Sequence, residues 1–192
     1  MPALKAICQL RLSDAGLSMA FETLPQGCSV PPSADVILMS ENGHPGSGQY
    51  LQVDGTSRAT GLHIEFAERI PASQVSFDVY PFYGGLDDAV LQLSTESCIE
   101  DQPNVEIYHS KYGNFRIKNN NTAIAQGAAR AWHRMELSDI DWQTGRFSWI
   151  VNGAVINAAV RMQKPWNAQG IKCISLFNDG PSLSRWDNLM AE

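Results

Sequence analysis

The stretch Trp132–Asn157, WHRMELSDIDWQTGRFSWIVNGAVIN, decides how the chain is read. Phe147, Trp149 and Val151 fall on one side of a short run, and His133 falls in register with Met135 and Leu137. Such a period of two puts successive side chains on opposite faces of a strand. The run ends at Asn152-Gly153, and Ala154–Val160 follows as its return. Asn-Gly is a strong hairpin signal, because a type I′ turn needs positive φ at both central residues.

Outward from this hairpin the same alternation recurs. Thr60–Phe66 puts Leu62, Ile64 and Phe66 on one face and His63 and Glu65 on the other. Gln74–Tyr80 buries Val75, Phe77 and Val79 and shows Ser76, Asp78 and Tyr80. Ala89–Ser94 turns Leu91 and Leu93 inward, and Asn104–His109 turns Val105 and Ile107 inward with Glu106 and Tyr108 opposite. Asp54-Gly55, Gly84-Gly85, Thr144-Gly145 and Asn178-Asp179-Gly180 break the runs, and Glu41–Gly48 is a longer Gly- and Pro-rich loop. Ala123–Ala131 reads either as one helical turn or as a strand edge. Many short strands with turns between them predict an all-β, two-sheet antiparallel jelly-roll sandwich, organised as a single domain over residues 1–192.

Composition bounds the function. Of 192 residues, 44% are hydrophobic, enough for a packed core, and only 18% are charged. A net charge of -6 with no Lys/Arg run argues against nucleic acid as a partner. No apolar stretch is long enough to cross a membrane as a helix. Met1–Leu12 is interrupted by Lys5, Gln9 and Arg11 and is not read as a signal peptide. The chain is therefore expected to be cytoplasmic, exported by another route, or cut from a longer secreted protein. Cys8, Cys28, Cys98 and Cys173 form no CxxC pair. They are expected as free thiols, Cys173 buried in an apolar strand, with disulfides the alternative if the protein is exported.

Trp132–Asn157 resembles a signature of concanavalin A-like and laminin G-like jelly rolls, in which a Trp-x-Arg strand leads into a hairpin ending in Val-Asn-Gly. The close of the chain, ISLFNDGPSLSRWDNLMAE (Ile174–Glu192), is similar to the last strand of many such domains. That superfamily holds lectins, carbohydrate-binding modules, glycosidases, polysaccharide lyases and adhesive domains, so the resemblance implies the fold and leaves the activity open. It implies an extracellular or cell-surface setting and a glycan partner. It also implies a structural Ca²⁺ held by Asp187, carbonyls of the Gly43–Gly48 loop and Glu22, since Ca²⁺ takes six to eight oxygens. Read without the family, Asp187 hydrogen-bonds a turn and Glu22 is solvated.

The candidate ligand face is polar. His63, Glu65, Asp78, Tyr80, Gln92, Glu106 and Tyr108 all stand opposite core residues, and they line one surface if their strands share one sheet. Carboxylates and amides bind sugar hydroxyls, and tyrosine stacks on a pyranose. An ordinary solvated sheet face is polar too. Arg116 adds a cation, and Trp166 is the aromatic best placed for exposure; Trp142 and Trp149 are further candidate sugar platforms, although Trp149 alternates with core residues. Non-catalytic glycan binding is the leading expectation. A lyase or glycosidase is the alternative: His63, Tyr80, Tyr108, His109, Arg116 and Gln92 supply lyase residue types, and Glu65 or Asp78 with Glu106 would have to replace the absent Glu-Asp-Glu strand of the glucanases. A structural, protein-binding domain is the third. His44, His63, His109 and His133 lack zinc spacing.

Overall fold

Alternating side chains become two sheets that share one interior. The computed structural model describes residues 6–10, 17–19, 28–29, 36–39, 49–55, 58–82, 87–98, 103–118, 120–164 and 169–192. In chain order the strands are β1 (Ala6–Leu10), β2 (Leu17–Met19), β3 (Cys28–Ser29), β4 (Val36–Met39), β5 (Tyr50–Gly55), β6 (Leu62–Ile70), β7 (Val75–Pro81) and β8 (Asp87–Ser94). They continue as β9 (Val105–Ser110), β10 (Asn114–Ile117), β11 (Asn120–Gln126), β12 (His133–Asp141), β13 (Arg146–Val151), β14 (Ala154–Arg161), β15 (Ile171–Asp179) and β16 (Ser182–Ala191). The first sheet runs β11-β10-β9-β8-β15-β6-β1-β3, and the second β14-β13-β12-β7-β16-β5-β4 with β2 beside β16. The pairs are antiparallel except β1 with β6, which run parallel. This is the jelly-roll sandwich expected from the pattern.

Leu62, Ile64 and Phe66 from the first sheet meet Phe77, Val79, Phe147, Trp149 and Trp186 from the second in one hydrophobic cluster. Burying each large side chain stabilises the fold by roughly 1.5–3 kcal/mol. The β13–β14 hairpin turns through Asn152 (φ 50) and Gly153 (φ 78), the two positive φ values of the expected turn. Asn120–Gln126 is the edge strand of the first sheet, which settles the ambiguity of the Ala-rich stretch.

One end of the sandwich is closed by polar groups. In β8 the pairing shifts between Asp88 and Leu91, where Ala89 takes φ 48. This β-bulge inserts an extra residue, so Asp88 and Leu91, three apart, face the same side. Asn178 of β15 holds the bulge: its Oδ1 accepts the Ala89 N–H at 2.9 Å, and its Nδ2 donates to the carbonyls of Val53 and Ser182 at 3.0 Å each. Asp88 accepts the Ser182 hydroxyl at 2.8 Å and lies 3.1 Å from His109 Nδ1. His109 Nε2 donates to the carbonyl of Gly127 at 2.9 Å, so this histidine is a fully buried structural group.

A second histidine fastens the same crossing from the other sheet. His133 Nε2 donates to the carbonyl of Ala128 at 2.9 Å, and its Nδ1 accepts from Asn152 Nδ2 at 3.2 Å, which fixes the neutral tautomer. Phe115 packs edge-on between the two imidazoles, with centroids 5.0 and 5.1 Å away. Gly127 lies against that ring, where a Cβ would overlap Phe115.

The expectation of free thiols is overturned at Cys173, which is disulfide-bonded to Cys98 with Cα atoms 5.2 Å apart. The two are 75 residues apart in sequence, a separation that hides the pairing until β15 lies beside β8. Closing a loop of that length stabilises by up to about 4 kcal/mol in the chain-entropy account. Cys8 and Cys28 are Cα partners across β1 and β3.

Burial pushes the His133 imidazole below its ordinary 6.5, the Ala128 hydrogen bond opposes this, and His109 adds to the lowering. The unfolded chain therefore takes up this proton first as pH falls through 6.5. The stabilisation is complete above that value and is lost progressively as pH drops towards the folded-state value. The urea midpoint is expected to fall between pH 7 and pH 5, and to fall less in His133→Gln; equal slopes in the two proteins would contradict this.

Candidate functional site

The outer face of the first sheet is built by register. His63 of β6, Ser175 of β15, Gln92 of β8 and Glu106 of β9 are successive Cα partners, forming one row across four strands. Their neighbours Ile64, Ile174, Leu91, Val105 and Ile107 go to the core. His63 Nδ1 lies 2.9 Å from the Ser175 hydroxyl, and Gln92 Nε2 donates to Glu106 Oε2 at 2.7 Å. Glu106 Oε1 pairs with Lys118 Nζ at 2.7 Å. His63, Gln92 and Ser175 are fully buried although they stand on the side away from the core.

Access moves to the β9–β10 corner. Tyr108 and Arg116 are Cα partners and half-buried, and Tyr112, at the turn between the strands, is 69% exposed. Gly113 takes φ 74 to make that turn. Arg116 is pre-aimed: its Nε donates to Asn114 Oδ1 at 2.8 Å, and its guanidinium carbon sits 5.5 Å from the Tyr112 centroid. Asn114 Oδ1 also accepts the Ser110 hydroxyl at 2.8 Å. Lys111 lies 5.3 Å from the same Tyr112 ring.

Asp87, turned to this side of the bulge, feels the acids around it. Loss of water first, then Asp179 and Glu106, push its carboxyl above 3.8, while Lys118 pulls it down. The Tyr108 phenol is raised above 10, first by loss of water and then by Asp87 and Glu106, with Arg116 opposing. Around Asp87 and Tyr108 the corner thus gathers the acids Glu106 and Asp179 and the cations Lys118 and Arg116. Glu106 is held at both oxygens, Oε2 by Gln92 and Oε1 by Lys118, which fixes the direction of its remaining lone pairs.

The candidates named from sequence divide. Glu65, His63, Gln92, Glu106, Tyr108 and Arg116 share the first sheet's outer face. Asp78 and Tyr80 do not join them: β7 lies in the second sheet, so the two stand on the opposite face of the sandwich. There Asp78 accepts from Arg134 Nη1 at 3.3 Å and from Asn188 Nδ2 at 2.7 Å. Asp187, Cα partner of Asp78, is fully buried, and its Oδ1 accepts the Asn188 N–H at 2.8 Å, a bond within β16 and not in a turn. Glu22, the Gly43–Gly48 loop and Trp166 lie outside the described residues. Trp142 and Trp149 are both buried, Trp142 donating to the carbonyl of Ala72 at 2.8 Å, so neither is a sugar platform. Among the described residues no group of three or more His, Cys, Asp or Glu is placed to hold a metal ion. Asp87, Lys118 and Tyr112 were missed. Lys111-Tyr112-Gly113-Asn114 carried a usable signal, an aromatic beside a glycine at a hairpin tip.

No protein family and no curated protein matches the chain in sequence. Solved structures do match in fold. The cellulose-induced protein Cip1 aligns with TM-score 0.57 at 10% identity, over 92% of this chain and 96% of its own. A carbohydrate esterase from the Shiga toxin-encoding bacteriophage phi24B aligns with TM-score 0.55 at 10% identity, over 82% and 86%. The Bacillus licheniformis β-glucanase aligns with TM-score 0.54 at 12% identity, over 92% and 97%. The fold is therefore the concanavalin A-like jelly roll.

Because Asp87 holds its proton more tightly when folded, its contribution is most favourable at low pH and declines as pH rises from 3.8 through the folded-state value. Asp87→Asn should melt higher than the parent at pH 7 and lose that advantage at pH 3; a lower melting temperature at pH 7 would refute the electrostatic reading.

Proposed function

We propose that this protein binds a carbohydrate, without catalysing its breakdown, at the β9–β10 corner of the first sheet. The observation that carries the reading is the placement of Tyr108, Tyr112 and Arg116 beside the bonded trio Gln92, Glu106 and Lys118, at the β9 end of the row. Tyrosine offers a flat apolar face to pyranose C–H groups and a hydroxyl to the sugar's own. Arg116, fixed by Asn114, presents its remaining donors with little ordering cost. Glu106, held between Gln92 and Lys118, and Asp87 supply acceptors for sugar hydroxyls. The names of the three fold neighbours, which refer to cellulose, carbohydrate esters and β-glucan, agree with a saccharide as the ligand class. An adhesive role on a glycan-coated surface follows from the same contacts.

A structural Ca²⁺ at Asp187 belongs to this proposal. A buried carboxylate is the oxygen donor a hard cation prefers. If the cation is present, adding EDTA should lower the melting temperature and Ca²⁺ should restore it; an unchanged melting curve removes Ca²⁺ from the account.

A glycan array at millimolar-range sensitivity, followed by titration of the best hit, tests the main reading. Arg116→Ala and Tyr112→Ala are each expected to weaken binding by about tenfold, the scale of one charged or aromatic contact. No hit across the array, or a hit indifferent to both substitutions, would refute it. Release of products from uronate polymers or glucans would replace it with a lyase or hydrolase.

A further inference from the structure

The outward side of a sheet is ordinarily polar, yet the second sheet carries four aromatic rings there, gathered round an arginine. Tyr80 of β7, Arg185 of β16 and Gln52 of β5 are successive Cα partners, while their neighbours Val79, Trp186 and Leu51 face the core. The Arg185 guanidinium carbon lies 4.8 Å from the centroid of Tyr50, 5.3 Å from Tyr80 and 5.6 Å from Phe82. Trp132 meets Tyr50 and Tyr80 edge-on, with centroids 5.9 and 5.5 Å away. A second guanidinium, that of the exposed Arg130, lies 5.4 Å from the Phe82 ring.

The framework is fixed before any ligand arrives. Arg130 sits at φ 60 with its N–H donating to the carbonyl of Pro81 at 2.7 Å, and the Phe82 N–H donates to the carbonyl of Leu183 at 3.1 Å. Arg185 Nε reaches Gln52 Oε1 at 3.4 Å. A guanidinium stacked on a ring keeps its N–H donors in its own plane, where they suit the two oxygens of a carboxylate. Tyr80, Phe82 and Trp132 are half-buried, so their rims remain open to a ring. The nearby acid Asp78 is already held by Arg134 and Asn188. In a chain of net charge -6, the exposed Arg130 guanidinium set on the Phe82 ring makes a local attraction for an anion.

We propose that this aromatic–arginine cluster is a second saccharide site, on the face opposite the first, that takes a uronic acid residue: its ring lies against Trp132 and Phe82, and its carboxylate meets Arg130. The site does not depend on the β9–β10 corner, and the two are tested apart.

The experiment is a ¹⁵N-correlation titration of the full chain with tetragalacturonate, following the Trp132 indole signal assigned with Trp132→Phe. Saturable movement of that signal is expected in the millimolar range, with binding weakened about tenfold in Arg130→Ala and unchanged in Arg116→Ala. The methyl-esterified tetramer, which lacks the charge, should bind at least as weakly as the acid binds Arg130→Ala. A stationary Trp132 signal, or movement that survives Arg130→Ala, overturns the proposal. So does an equal response to the methyl ester, or to tetraglutamate, which would indicate an acidic peptide. Loss of the Trp132 response in Arg116→Ala would show one site, not two.

Discussion

Asn178 is the point on which the two sheets depend at their closed end. One side chain, fully buried, accepts from β8 and donates to β5 and to the start of β16, so three strands from both sheets meet on one amide. An amide buried without partners costs several kcal/mol, whereas here both of its ends are satisfied. The bond to Ala89 N–H also stabilises the bulge, and the bulge decides which aspartate faces which way. Asp88 turns in to Ser182 and His109, and Asp87 turns out towards Glu106 and Tyr108. The interior joint and the candidate site are therefore two sides of the same insertion.

The strands themselves were legible because alternation is a local property. Leu62, Phe77, Ile107 and Phe147 each sit in a run of period two, and all four reach one core. Sheet membership was not legible, because alternation tells a residue which side it takes and nothing about which sheet it joins. Asp78 and Tyr80 look like neighbours of His63 and Glu65 in sequence, but the chain crosses from the first sheet to the second between β6 and β7. Exposure was illegible for a related reason. His63 and Gln92 stand on an outward face and are nevertheless closed to solvent. The Cys98–Cys173 bond required contact between segments far apart in the chain, which spacing alone does not encode.

Both faces of the sandwich carry aromatic rings with guanidiniums beside them, and in each case backbone or amide contacts hold the arginine. The Arg116 side chain is set by Asn114, and the backbone of Arg130 by the Pro81 carbonyl. Prior fixing of this kind reduces the ordering cost of any contact these groups make.

The bridge from Cys98 to Cys173 has a topological consequence. It closes a covalent ring round β9 to β14, a span of 75 residues that includes the exposed Tyr112 turn and the Asn152-Gly153 hairpin tip. A protease that nicks either tip once leaves both fragments on a single molecule, with the sheets still able to hold their register.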